Sequence, residues 1–191
     1  IGALILKKGT DLPPLIKGGG QEQGRRAGTE NLIGILAFAA AATAAQRDLD
    51  AGLWDAVRAR RDALEARLMD IAPQSVIVGK DVPRLPNTTC LLTSGWKGET
   101  QVMQMDLAGF AISAGSACSS GKVRASGALQ AMGFDDQLSQ SAIRISISPA
   151  LDDDQINRFA DAWENAYSRW RDRNGVTGTG GQGSALPRKE R

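Results

Sequence analysis

Histidine is absent from the 191-residue chain, so imidazole-based acid–base or metal chemistry has to come from elsewhere. Cysteine is scarce. Cys90 and Cys118 stand in unrelated contexts, which argues against a disulfide framework and for a reducing, cytoplasmic setting. Neither charge sign prevails: a net charge of +2 gives no strong attraction to nucleic acid or to an anionic membrane, and neither is expected as a partner. No apolar run approaches the length of a membrane span, and no signal-peptide pattern is seen. The nearest candidate, Ile33 to Ala45, is alanine-rich, ends at Gln46 and Arg47, and is expected to be a packed helix. An initiating methionine is also missing. Ile1-Gly2-Ala3-Leu4-Ile5-Leu6 reads as a strand entered in mid-fold, and the chain is expected to be the C-terminal part of something larger.

What is present describes an ordinary globular protein, with 42% apolar and 23% charged residues. Gly2 to Leu6 is expected to be a buried strand. Lys7 to Gly28 follows as a loop rich in Gly, Pro and charge, long enough that a function is expected of it. Thr29 is expected to cap a helix, with Glu30 in its first turn. A second helix is expected over roughly Leu53 to Ile71, with Leu53, Val57, Leu64, Leu68 and Ile71 on one stripe. Arg58, Arg60, Arg61 and Arg67 should lie outside it as a solvated face. Strands are expected at Ser75 to Val78 and Thr88 to Thr93, with Cys90 buried in the core. Glu99 to Leu107 reads as a short helix and Phe110 to Ser113 as a strand. In Ala142 to Ser148, isoleucines alternate with Arg144, Ser146 and Ser148, so Arg144 projects away from the isoleucine face of a half-buried strand. A last amphipathic helix begins near Leu151 with an acidic first turn, which suits the helix dipole. After Asn174 the composition turns to Gly, Thr, Ser and Gln, as in a disordered tail.

Cys118 sits in Ser113-Ala114-Gly115-Ser116-Ala117-Cys118-Ser119-Ser120-Gly121. Glycines at 115 and 121 permit backbone geometries closed to other residues, and no bulky neighbour buries the sulfur. A structural cysteine normally sits among large apolar residues and is inert. The segment suits either a thiol that moves and reacts or a free cysteine in a surface loop. Lys122 and Arg124 follow closely and could lower the thiol pKa.

Three segments together resemble the cysteine desulfurases of the class V aminotransferase group, in their NifS/IscS-type branch. They are Gly18-Gly19-Gly20-Gln21-Glu22-Gln23-Gly24-Arg25-Arg26-Ala27-Gly28-Thr29-Glu30-Asn31, the Cys118 segment, and Ser141-Ala142-Ile143-Arg144-Ile145-Ser146. The resemblance runs from residue 1 to about 172. It implies an α/β pyridoxal-phosphate-dependent transferase of fold type I. Residues 1–46 would be the C-terminal end of the large cofactor-binding domain, 47–172 a small α+β domain carrying the cysteine loop, and 173–191 a disordered tail.

The resemblance also implies the chemistry. Pyridoxal 5'-phosphate, held on a lysine, serves as an electron sink. L-Cysteine gives up its sulfur, leaving alanine and an enzyme persulfide. Cys118 matches the nucleophile. Arg144 matches the arginine that holds the substrate carboxylate, a task suited to a two-pronged guanidinium; read alone, it is a strand arginine facing solvent. Thr29 matches the residue that binds the cofactor phosphate from the neighbouring subunit of a homodimer; read alone, it is a plain helix cap. No metal ligands are assigned.

The family's lysine motif would lie just before Ile1, and none of Lys7, Lys8 or Lys17 matches it. Ala27 stands where many relatives have serine, and Gly127 where relatives often have histidine. The chain is therefore expected to carry the sulfur-accepting half of a desulfurase and to be inactive alone. The implied partner is an iron–sulfur scaffold or another sulfur acceptor, serving cluster assembly or tRNA thiolation. The alternatives are another class V enzyme, such as an aminotransferase or selenocysteine lyase, and a non-catalytic sulfur-carrier module.

Overall fold

The structure, a computed structural model, describes residues 1–115 and 126–175. Its contacts divide the chain into two units, Ile1–Gly52 and the residues from Leu53 onward.

In the first unit Ile1 to Leu6 forms no strand, and Ile1, Leu4 and Ile5 are strongly exposed. The apolar run suits a strand, but strand backbone needs a partner for its N–H and C=O groups. Among the described residues of this unit there is no second strand to supply one. A short turn at Gln21–Gly24 places Glu22 and Gln23 in the left-handed region, with φ of 52° and 56°. Helix α1 spans Leu32–Asp50. Its cap is Asn31, not the expected Thr29: the Asn31 Oδ1 accepts a 3.0 Å hydrogen bond from the Gly34 N–H. Three residues is the reach of a capping side chain, and Thr29 stands two residues too early. The expected packing of this helix is not met either. No residue of α1 is buried, and Leu32, Ile33, Leu36 and Phe38 stay exposed. By length and composition alone it is apolar enough to cross a membrane, so the expectation that no run approaches that length does not hold.

The second unit opens with α2, Leu53–Ile71, and contains β1 (Val76–Ile77), β2 (Thr88–Leu92), α3 (Gly98–Leu107) and β3 (Ser113–Ala114). After residues 116–125 come α4 (Gly127–Ala131), α5 (Asp136–Gln140), β4 (Ala142–Ser146) and α6 (Asp153–Asn174). The strands form one sheet in the order β1-β2-β4-β3, and each neighbouring pair is antiparallel.

Alternation along the strands sends side chains to two different layers. Leu91, Ile143, Ile145 and Ile147 join Val57, Leu64 and Leu68 of α2 and Ile156, Phe159 and Trp163 of α6 in the main core. On the other face Leu92 and Ala142 meet Leu129 of α4, with Phe134 and Leu138 around them. Helix α6 starts with a full capping box: Asp152 and Gln155 each accept the other's backbone N–H, at 2.7 and 3.0 Å. It ends at Gly175, whose φ of 63° favours glycine.

Polar groups lock the core layers. Gln101 of α3 is fully buried. Its amide donates to the carbonyls of Trp96 and Ser141, at 2.9 and 3.1 Å, and accepts from the Trp163 indole at 3.2 Å. Glu65 of α2, also buried, takes both prongs of Arg84, at 2.6 and 2.5 Å, and the Thr89 hydroxyl at 2.7 Å. Donation to the Glu65 carboxylate holds the Arg84 guanidinium above its usual pKa. Arg61, expected on the solvated face, is buried beside this group and donates to the Leu85 carbonyl at 2.6 Å and to Asp62. A guanidinium can enter the core here because its donors find acceptors.

Candidate active site

The middle of β4 carries Arg144, the first of the candidate residues. Arg144 pairs in register with Cys90 on β2 and with Ser113 on β3. Its neighbours Ile143 and Ile145 point into the core, so the pleat turns Arg144 to the opposite, open side, where it is exposed. The guanidinium borders a hollow of about 590 Å³ also lined by Glu99, Met103, Asp106, Phe110 and Ser113. Among the described residues no carbonyl or carboxylate pairs with it. Most arginines elsewhere in this unit that meet the sheet or its helices are engaged, as Arg61, Arg67 and Arg84 are. An unpaired guanidinium beside a hollow can take a carboxylate through two parallel hydrogen bonds.

Cys90 was expected in the core and is only half-buried, at the margin of the second apolar cluster. Burial pushes its thiol pKa up, and the nearby Arg144 charge pulls it down to a lesser extent. A thiol held in its neutral form is a poor nucleophile.

Cys118 lies outside the described residues. The chain that leads to it is held tightly. Gly115 donates its N–H to the Ala142 carbonyl at 2.7 Å. A Cβ at Gly115 would stand 2.3 Å from the Ala142 Cβ, so only glycine allows this approach. The expected strand at Phe110 to Ser113 is instead Ser113–Ala114, since pairing with β4 begins only at Arg144. Beyond residue 125, α4 brings Leu129 onto Ala142 and Leu92. Both flanks of the cysteine segment thus close on Ala142, two residues from Arg144. Sequence reading missed α4 and α5. Their lengths of five residues each carry too little periodicity to register, although Asp135 three residues before Leu138 is a capping signal that was available.

Thr29 belongs to the first unit and is exposed. Among the described residues its hydroxyl has no hydrogen-bond partner, and neither have the N–H groups of Gly28, Thr29 and Glu30. Such donors are of the kind that hold a phosphate. Among the described residues nothing comparable is offered to the ring of a pyridoxal cofactor, and none of Lys7, Lys8 and Lys17 matches the family's Schiff-base lysine. Of the residues described, Thr29 and the N–H groups around it are the ones that could hold the phosphate of that cofactor.

Comparison with known proteins identifies the family. Residues 1–159 match the family model described as Aminotransferase class-V. The chain is similar to a cysteine desulfurase of Cereibacter sphaeroides, 39% identical over 159 residues that make up 83% of this chain and 40% of that protein. It is similar also to the cysteine desulfurase NifS of Azotobacter vinelandii, 35% identical over 158 residues, covering 83% of this chain and 39% of that one. Among solved structures it resembles a NifS-like protein from Rickettsia africae, with a TM-score of 0.70 and 30% identity over 83% of this chain and 41% of the other. The chain spans about two-fifths of the length of these relatives. Its sheet, its helices and its sequence together place the chain in the class V aminotransferase family, with the α/β architecture of fold type I pyridoxal-phosphate-dependent proteins.

Proposed function

We propose that this chain supplies the substrate-anchoring and sulfur-accepting part of a cysteine desulfurase, acting on L-cysteine in the cytoplasm as a homodimer. The observation that carries the reading is the register of β4. It sets Arg144, which has no partner among the described residues, directly beside the strand, β3, from which the Cys118 segment departs.

Arg144 binds the carboxylate of L-cysteine through both prongs of its guanidinium and so fixes the amino acid's orientation. Thr29 contributes a hydroxyl donor to the phosphate of pyridoxal phosphate. When bound, that cofactor supplies the electron sink that makes the carbon–sulfur bond of the substrate breakable. The Cys118 thiolate forms a new S–S bond to the substrate sulfur. The electron pair of the broken C–S bond stays with carbon, which takes up a proton and leaves as alanine. Cys118 then holds a persulfide, which a second thiolate on an acceptor protein removes by exchange. The acceptor serves iron–sulfur cluster assembly or tRNA thiolation.

Cys118→Ser in the full-length protein should abolish sulfide release while the cofactor absorbance persists, because a hydroxyl cannot accept sulfur. Mass spectrometry after L-cysteine should find added sulfur on Cys118 and none on Cys90. Unimpaired turnover by the serine variant would remove the proposal. Arg144→Lys should lower kcat/KM about ten- to a hundredfold, the range of a charged hydrogen-bonded contact. Kinetics within twofold of wild type would leave Arg144 as a solvent-facing strand residue.

A further inference from the structure

The glycine-rich segment before α1 holds a side chain with an uncommon set of partners. Arg26 turns back on its own strand of chain. Its Nη1 donates to the carbonyls of Ala27 at 3.2 Å, Gly28 at 2.6 Å and Thr29 at 3.5 Å. Its Nη2 lies 3.6 Å from the Glu22 carboxylate. Consecutive carbonyls in extended chain point to alternate sides. Here three converge on one cation, and Gly28 permits this with a φ of 97°. The acceptors of the turn are thereby occupied. Its donors, the Thr29 hydroxyl and the N–H groups of Gly28, Thr29 and Glu30, have no partner among the described residues.

An anion is attracted by N–H and O–H groups and repelled by carbonyl oxygens, so a phosphate site needs the two separated. We propose that Arg26 is a positioning residue that performs this separation. It gathers the Ala27, Gly28 and Thr29 carbonyls and leaves the donors of the turn for the phosphate group of pyridoxal phosphate. This rests on the phosphate role given to Thr29 above. The two arms of the guanidinium place Nη1 on the carbonyls while Nη2 faces the Glu22 carboxylate, and the single nitrogen of a lysine cannot occupy both positions.

The test titrates inorganic phosphate, and separately pyridoxal phosphate, into the full chain while following the amide resonances of Gly28, Thr29 and Glu30. The variants are Thr29→Ala, Arg26→Ala and Arg26→Lys. Amide resonances of α1 report whether the helix survives each change. Thr29→Ala should weaken phosphate binding, and Arg26→Ala should weaken it about ten- to a hundredfold, as loss of charge-assisted hydrogen bonds implies. Arg26→Lys should fall clearly below wild type although it keeps the charge. Wild-type affinity in Arg26→Lys would mean that a positive charge alone suffices, and would overturn the inference. So would wild-type affinity in Arg26→Ala with Thr29→Ala impaired, an outcome that leaves the phosphate reading intact. Thr29→Ala at wild-type affinity, or no shift in the wild type, would remove the phosphate reading and this inference with it. If Arg26→Ala also loses α1, the lysine variant decides.

Discussion

Replacing Gly115 by alanine tests the link between the sheet and the cysteine segment. The added Cβ would lie 2.3 Å from the Ala142 Cβ and 3.3 Å from the Ala142 carbonyl oxygen. Carbon atoms pack best at about 3.5–4.0 Å, so one of the two backbones has to move by more than about 1 Å. Both atoms belong to short, stiff groups, and neither can swing aside as a long side chain would. Overpacking of this kind costs about 1–3 kcal/mol. The displacement also strains the 2.7 Å hydrogen bond from the Gly115 N–H to the Ala142 carbonyl, worth about 0.5–1.5 kcal/mol. Together these predict a loss of roughly 2–4 kcal/mol, which at a typical urea slope moves the unfolding midpoint down by about 1–2 M. Gly127→Ala is the control. It sits at the first residue of α4 with open space around its Cβ position, and alanine there should stabilise by about 0.4–1 kcal/mol. Urea denaturation followed by tryptophan fluorescence measures both, since Trp96 and Trp163 are fully buried. Opposite signs are expected. A Gly115→Ala protein as stable as wild type would show that β3 does not approach β4 as described, and would undercut the placing of the chain before the cysteine segment beside Arg144.

Removal of Glu65 should be among the most damaging changes in the second unit. Glu65→Ala leaves the largely buried Arg84 without its two-pronged partner and the Thr89 hydroxyl without an acceptor, a loss of about 3–5 kcal/mol; a urea midpoint within error of wild type would refute it. Cys90, whose thiol is pushed up by burial, should react slowly with iodoacetamide at neutral pH and faster only above the ordinary thiol range. The proton it retains in the fold stabilises below the unfolded pKa, and that contribution is lost as pH rises through the folded pKa. Rapid labelling of Cys90 at pH 7 in the folded protein, read by peptide mapping, would contradict this.

Much of the second unit could be read from the chain alone, for local reasons. Helix α2 runs over Leu53–Ile71 as its apolar spacing implies, and the isoleucine alternation put Arg144 on the open face of β4 before any contact was known. These are properties of 3.6- and 2-residue periods, which each segment carries by itself. The class V resemblance, too, lay in three short motifs and agrees with the family match. Partners distant in sequence were not legible. Arg61 reads as a solvated arginine until Leu85, 24 residues on, brings its carbonyl within 2.6 Å. Ile1 to Leu6 has the composition of a strand but, among the described residues of its unit, no second strand to pair with. Nothing in the short helix around Gln101 marks it as buried, yet the sheet and α6 close over it and satisfy its amide. Periodicity told which way a side chain faces, because the backbone sets that locally. What each one meets there depended on loop closure and packing, which bring together residues that no sequence window contains.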